Sequence, residues 1–231
     1  MTNESNIWFF EGVNLYKVFC PHNVKRDFDT KHKFVNYDKE EFVYLSEEPS
    51  KHVYLVVDGR IKIGSYSHQG KENIKAILQK GEVFGELAIV GEENRKEFAQ
   101  AMDNVTICPL TIKDMDGLMK RNKDLSFKIT KLIGLKLRRA ERRIESLVFK
   151  DASTRIIEFL IDSAEERGQK VGLETLVKDF LTHQDISNLT ATSRQTVTTT
   201  LNQLREANLI NFDRKRLLIR DIDKLKNLVN S

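Results

Sequence analysis

The period of the hydrophobic pattern changes at Ile112, and no other feature constrains the fold as much. From Lys33 to Ile112 short apolar or alternating runs recur: Phe42-Val43-Tyr44-Leu45, Val53-Tyr54-Leu55-Val56-Val57, Arg60-Ile61-Lys62-Ile63, Ile74-Lys75-Ala76-Ile77-Leu78 and Val105-Thr106-Ile107. Turn signals divide them at Glu48-Pro49-Ser50, Asp58-Gly59, His68-Gln69-Gly70, Lys80-Gly81 and Gly91-Glu92. Short strands at about ten-residue spacing predict a small antiparallel barrel or roll. From Ile112 onward the spacing is helical. A short pattern around Met115–Met119 precedes a proline-free run from Asp124 to Phe149. Its apolar positions Ile129, Ile133, Leu137, Ala140, Ile144 and Leu147 step by threes and fours between Lys and Arg, a coiled-coil-like seam. Such an edge serves either packing on the roll or pairing with a second copy, and its charged flanks favour a homodimer. The Arg138-Arg139-Ala140-Glu141-Arg142-Arg143 cluster, interleaved with Glu141 and Glu145, reads as a solvated flank.

Lys150-Asp151-Ala152-Ser153 interrupts the helical pattern and predicts a hinge. A helix from Thr154 then stops at Glu166-Arg167-Gly168. Three segments follow: a lead-in and roll over 1–123, a long helix with a pairing seam and the hinge over 124–150, and a further domain over 151–231. The fold class is α+β.

The last segment carries the functional signal. In Thr182–Leu204 two short helical patterns flank Thr190-Ala191-Thr192. Ile186 and Leu189 are apolar in the first; Val197, Leu201 and Leu204 form the stripe of the second. Thr182 suits an N-cap with Asp185 three residues on, and Thr192 or Ser193 suits the second cap. The remaining face of Ser193, Arg194, Gln195, Thr198, Thr199 and Asn202 is polar and free of acids. That is a helix-turn-helix whose second helix enters a major groove. A surface helical hairpin is the plainer reading, but three successive threonines are poor helix formers on a free surface. Leu209-Ile210-Asn211-Phe212, Asp213-Arg214-Lys215-Arg216 and Leu217-Leu218-Ile219 read as strand, basic turn and strand, a wing placed to meet phosphates.

Composition narrows the compartment and excludes several chemistries. At 231 residues, 40% hydrophobic and 31% charged, the chain is ordinary for a globular protein. No apolar run approaches a membrane span, and Ile7-Trp8-Phe9-Phe10 lacks the basic flank and length of a signal peptide, so a cytoplasmic protein is expected. A net charge of +4 means that nucleic-acid binding rests on local patches. Residues 1–30 mix Trp8, Phe9, Phe10, Tyr16, Phe19 and Phe28 with charges and predict a lead-in over a core edge. Cys20 and Cys108 are too few and too far apart for a zinc or iron–sulfur ligand set, and a disulfide between them does not suit a reducing compartment. No nucleophile elbow, metal-binding spacing, Walker loop or paired carboxylates point to an enzyme.

Roll, long helix, hinge and winged helix-turn-helix, in that order, resemble the CRP/FNR family of bacterial transcription regulators, typified by the cyclic-AMP receptor protein. The resemblance runs from about residue 30 to 220. Its pieces are Val57-Asp58-Gly59, Gly70-Lys71-Glu72, Gly81-Glu82-Val83-Phe84-Gly85-Glu86-Leu87-Ala88, Leu147-Val148-Phe149-Lys150-Asp151 and Thr192-Ser193-Arg194-Gln195-Thr196-Val197. It implies a cyclic-nucleotide-binding-like jelly roll, a dimer, a near-palindromic site on double-stranded DNA, and RNA polymerase as a partner. Arg194 is then expected to grip a guanine edge; Gln195, where relatives often carry glutamate, favours adenine. Thr182, Gln184, Ser193 and Thr196 are expected on phosphates, with Thr198 and Thr199 on the same face and Arg214 and Lys215 at the wing.

The resemblance also outlines an effector pocket. In nucleotide-binding members a Gly-Glu-Leu turn and a following Arg-Ser pair hold the ribose and cyclic phosphate. Gly85, Glu86, Leu87 and Arg95 match, whereas Lys96 replaces the serine and Glu97 follows. Ala140-Glu141 stands where a Thr-Ser pair should read the adenine, and Glu47 replaces a glycine at an early turn. The pocket is therefore read as retained in shape but not tuned for cyclic AMP. Gly85 and Glu86 serve equally as turn geometry and a salt bridge to Arg95. Other members sense oxygen through a four-cysteine iron–sulfur cluster, which two cysteines exclude; His22, His32, His52, His68 and His183 leave a haem ligand open. A nucleotide-binding module that docks protein is the alternative function, against which the basic wing and acid-free face speak.

Overall fold

The computed structural model describes residues 34–230, which divide near residues 137 and 138 into two compact units. The expected lead-in, Cys20, His22 and His32 lie outside the described residues.

In the first unit the alternating runs become eight antiparallel strands in two four-stranded sheets. β1 (Val35–Tyr37), β8 (Val105–Thr111), β3 (His52–Asp58) and β6 (Val83–Phe84) lie side by side in that order. β2 (Phe42–Tyr44), β7 (Phe98–Ala101), β4 (Ile61–Tyr66) and β5 (Glu72–Leu78) form the second sheet. The register sets Leu55 against Cys108 and Ile63 against Ala99. Phe98 is wholly buried, edge-on to Phe42 at 5.7 Å and stacked on the exposed Tyr66 at 4.8 Å. β1, β6 and β7 escape a reading for alternation: two are very short, and Phe98-Ala99-Gln100-Ala101 carries alanines where strands favour β-branched residues.

Two helices continue the chain. Thr111 caps α1 (Ile112–Arg121) by accepting from the Asp114 N–H. Asn122 ends it and, through its side chain, accepts from the Leu125 N–H at the start of α2 (Lys123–Phe149). Leu125, Ile129 and Leu132 of α2 are buried in one core with Val53, Leu55, Val83, Cys108, Leu110 and Met115, and Ile133 packs against it. The expected dimer seam is corrected here, because Ile129 and Ile133 face their own roll. The apolar side chains left exposed on α2 are Phe127, Leu137, Ile144, Leu147, Val148 and Phe149, and Ala140 is exposed as well. Helical spacing alone does not say which of two adjacent stripes the chain itself covers.

In the second unit Asp151 caps α3 (Ala152–Arg167) by accepting from the Thr154 N–H, and these bonds hold its carboxyl below the usual carboxylate range. The expected break between helices narrows accordingly to Lys150 and Asp151, and the division between the two units falls within α2 rather than here. α3 buries Ile156, Ile157, Phe159, Leu160, Ile161 and Ala164. It ends where expected, at Arg167, but a strand follows directly. β9 (Gly168–Val171) and β10 (Glu174–Lys178) pair with the wing strands β11 (Ile210–Phe212) and β12 (Arg216–Ile219) in the order β11-β12-β10-β9. The wing is thus the edge of a four-stranded sheet rather than a lone hairpin, which by itself is marginal in water. A last helix, α6 (Ile222–Asn230), packs on α3 through the buried Leu225 and a 2.6 Å ion pair from Lys226 to Glu165. No helix among the described residues is long and apolar enough to cross a membrane.

Gly59 and Gly70 both hold positive φ, at 81° and 76°. A Cβ on Gly59 would lie 2.6 Å from the Asn104 carbonyl oxygen, whereas Gly70 faces open space. Gly70→Ala should therefore cost only the left-handed penalty, roughly 1–2 kcal/mol, and Gly59→Ala clearly more. Urea denaturation followed by circular dichroism measures both; equal losses would contradict this packing.

Candidate nucleic-acid interface and effector pocket

The two short helical patterns form a helix-turn-helix. Thr182 precedes α4 (His183–Thr190); its hydroxyl oxygen accepts from the Asp185 N–H at 3.1 Å and its proton goes to the Asp185 carboxylate at 2.7 Å. Ala191 takes left-handed φ and ends the helix. Of the two expected caps for α5 (Arg194–Glu206), Ser193 does the work: its Oγ accepts from the Thr196 N–H at 3.0 Å and lies 2.8 Å from the Thr196 hydroxyl. Ile186, Leu189, Val197, Leu201 and Leu204 are buried as their spacing predicts.

Burying that stripe turns the other side of α5 outward. Arg194, Gln195 and Thr199 are exposed at its start, and Arg214 and Lys215 are exposed at the wing. Besides the capping residues Thr182, Ser193 and Thr196, three further expected contact residues are engaged within the protein. Gln184 donates to Asn188 Oδ1 at 2.9 Å and to Ser187 Oγ at 3.3 Å. The Thr198 hydroxyl donates to the Arg194 carbonyl at 3.0 Å and meets His183 Nδ1 at 2.9 Å. Asn202 accepts from Arg205. Burial, and then the nearby Arg194 charge, hold the His183 imidazole below its usual range and so neutral at pH 7.

Two arginines that spacing does not single out brace this motif. Arg155, 9% exposed on α3, donates to the Thr190 carbonyl at 2.9 Å, the Ala191 carbonyl at 3.3 Å and the Lys150 carbonyl at 2.7 Å. Arg143, expected on a solvated flank, donates instead to the Leu189 carbonyl, and burial draws its pKa down to about 10. It remains charged at neutral pH.

In the roll, Gly85 takes φ 72° before a 3-10 turn over Glu86–Val90. A Cβ there would meet the His52 carbonyl at 3.0 Å and the Arg95 guanidinium at 3.1 Å, so glycine fits both the turn and the approach. Glu86 is 6% exposed and pairs with Lys136 of α2 at 2.7 Å. The expected bridge from Glu86 to Arg95 is corrected by that partner. Arg95, 1% exposed, donates to the Gly85 and His52 carbonyls, lies 3.4 Å from Glu92, and rests 4.6 Å over the Tyr44 ring. Leu87 and Lys96 are exposed. Glu47, which stands for an expected glycine, adopts φ 69°, the conformation that glycine would supply. Cys108 is buried in the roll core, and among the described residues no group of His, Cys, Asp or Glu is arranged to hold a metal ion.

Residues 34–122 match the cyclic nucleotide-binding domain and residues 154–228 the Crp-like helix-turn-helix domain. The chain belongs to the CRP/FNR family. It is 26% identical over 191 residues to the CRP-like cAMP-activated global transcriptional regulator of Mycobacterium tuberculosis, covering 83% of this chain and 85% of that protein. It is 26% identical over 185 residues to the global nitrogen regulator of a Synechocystis species, covering 79% and 82%. Among solved structures, a CooA variant from Carboxydothermus hydrogenoformans superposes with a TM-score of 0.82 at 26% identity, covering 97% of this chain and 99% of that one. FixK2 from Bradyrhizobium japonicum superposes with a TM-score of 0.75 at 22% identity, covering 86% and 98%, and shows the fold alone. This CRP/FNR member is a DNA-binding transcription regulator with a roll of the cyclic-nucleotide-binding type and a winged helix-turn-helix.

Proposed function

We propose that this regulator acts as a homodimer that reads a near-palindromic DNA site through Arg194 and Gln195 and anchors on phosphates through Ser193, Thr196, Arg214 and Lys215, with Thr182, whose hydroxyl proton goes to Asp185, capping α4 beside them. The observation that carries this reading is the exposed, acid-free start of α5, set opposite a fully buried apolar stripe. Arg194 offers two parallel donors to a guanine edge, and Gln195 offers a donor and an acceptor to adenine. The roll over residues up to 123 takes the effector, residues 124–150 carry the dimer contact, and the remainder binds DNA in the cytoplasm. RNA polymerase is the partner through which binding becomes regulation. No catalytic role is proposed, in keeping with a family of transcription regulators. The test is binding to a randomised oligonucleotide pool and then to the selected site. Arg194→Ala should cost roughly 1–3 kcal/mol and relax preference at one base pair per half-site. Arg214→Ala should weaken all sequences alike and lower the salt slope by about one. The same uniform loss from both would refute the assignment of α5 as the reading helix.

The dimer contact is assigned to the exposed stripe of α2 rather than to Ile129 and Ile133. Phe127, Leu137, Ile144 and Val148 fall on the alternating three- and four-residue steps of a two-helix seam, with Thr130, Gly134 and Glu141 at its other positions. Leu137 and Ile144 are 61% and 62% exposed in the single chain. Leu137→Glu should drive the protein to monomer in sedimentation, whereas Leu137→Met should leave the dimer intact. An unaltered chain that sediments as monomer at micromolar concentration would rule out the seam.

The relative from Mycobacterium tuberculosis is named as cAMP-activated, but the pocket here supports a small-molecule effector other than cyclic AMP. Arg95, the residue expected to neutralise a phosphate, is turned toward two carbonyls and Glu92. Lys96, Ala140 and Glu141 lack the hydroxyls expected at those positions. Calorimetric titration with cyclic AMP should show weak binding or none; a low-micromolar dissociation constant would restore the nucleotide-sensor reading.

A further inference from the structure

His183 is absent from the residues that pattern alone assigns to DNA, yet it links both helices of the motif to the first wing strand. It opens α4, its Nδ1 lies 2.9 Å from the Thr198 hydroxyl on α5, and its ring lies 5.8 Å from the ring of Phe212, the last residue of β11. The Thr198 hydroxyl gives its single proton to the Arg194 carbonyl. Nδ1 must therefore be the donor, which fixes the tautomer and leaves Nε2 as an acceptor. Phe212 is held again by Arg205, whose guanidinium lies 5.2 Å from its ring centroid. One residue beyond Phe212 begins the wing turn. Its Lys215 carbonyl accepts from the Phe180 N–H at 2.9 Å, three residues ahead of His183. The wing is thus tied to the entry of α4 through Phe180 and His183 and to the last turn of the recognition helix through Arg205, while His183 also meets that helix at Thr198, one turn from Arg194.

We propose that His183 is the positioning residue that sets the wing against the recognition helix, so that the wing cations and Arg194 reach one DNA site together. The sheet holds the wing strands, but a tip left to shift beyond them would keep Arg214 and Lys215 near the duplex only part of the time, and their phosphate contacts would carry the ordering entropy on binding. The imidazole removes that cost beforehand through one directed hydrogen bond and one ring contact. This inference rests on the DNA-binding reading above.

The experiment is a double-mutant cycle on the full chain, with fluorescence anisotropy on the selected DNA site and on a copy changed at the base pair that Arg194 reads, across several salt concentrations. His183→Ala should weaken binding about tenfold, the worth of one such hydrogen bond with its packing. The salt slope should fall, and preference for the selected over the changed site should stay intact. Adding Arg214→Ala should then cost less than it does alone, because the wing contact is already lost. Where His183→Ala lowers the melting temperature sharply, Phe212→Leu, which keeps apolar volume but removes the ring, carries the same expectation. Additive losses would overturn the proposal in favour of an independent phosphate contact. A lost base preference would overturn it in favour of direct reading. Failure of the unaltered chain to select any DNA would instead refute the DNA-binding reading, and this inference with it.

Discussion

The DNA-binding unit depends on how a very short helix is closed. α4 has eight residues, so half of its carbonyls lack an intrahelical partner at the C-terminal end. Two of the carbonyls at that end and one in the turn that follows receive guanidinium donors, from Arg143 to Leu189 and from Arg155 to Thr190 and Ala191. A charged donor at a helix C-terminus also opposes the negative end of the macrodipole. The turn between the helices is thus fixed by side chains from α2 and α3, and with it the direction in which α5 leaves. Arg155 extends the same fork to the Lys150 carbonyl, so one buried group joins the end of α2, the start of α3 and the helix-turn-helix. An apolar residue of equal volume would leave those carbonyls unmet, and lysine could serve only part of the fork.

The roll solves a related problem with two buried charges. Glu86 and Arg95 both lie in an apolar interior, where an isolated ion would be very costly. They do not neutralise each other. Lys136 reaches Glu86, while Arg95 is satisfied by backbone carbonyls, Glu92 and the face of Tyr44. Buried pairs of this kind contribute little net stability but penalise any arrangement that breaks them. Their effect is to fix the Gly85–Val90 turn against α2.

What was legible in the sequence followed from period and capping. The long alternating runs became β3, β4 and β5, the Val197–Leu201–Leu204 stripe became the buried side of α5, and Thr182 and Ser193 proved to be caps. What stayed hidden lacked a local signature. Gly168-Gln169-Lys170-Val171 shows little alternation because β9 is an edge strand with three of its four residues exposed, yet it completes the wing sheet. α6 is short and charged. Ile129 and Leu137 share one helical stripe in the sequence, and only the roll decides that the first is core and the second is surface. The partners of Glu86 and of the α4 carbonyls sit dozens of residues away, where no spacing rule points.

The same limit bears on DNA reading. In the sequence the hydroxyls of Thr198 and Thr199 look equivalent, adjacent on a polar face. In the fold, Thr198 turns its hydroxyl back to the Arg194 carbonyl and His183, the local bonding that hydroxyl side chains favour within helices. A hydroxyl with its proton committed and its oxygen already accepting has little left for a base edge. Gln184 is turned along its own helix in the same way. Among the expected contact residues at the start of α5, Arg194, Gln195 and Thr199 are the ones left exposed, while the engaged residues hold the backbone beneath them. A small reading set on a braced helix loses less entropy on binding than a larger set of mobile side chains would. In the proposed reading, the polar residues turned inward act by fixing where the outward ones stand.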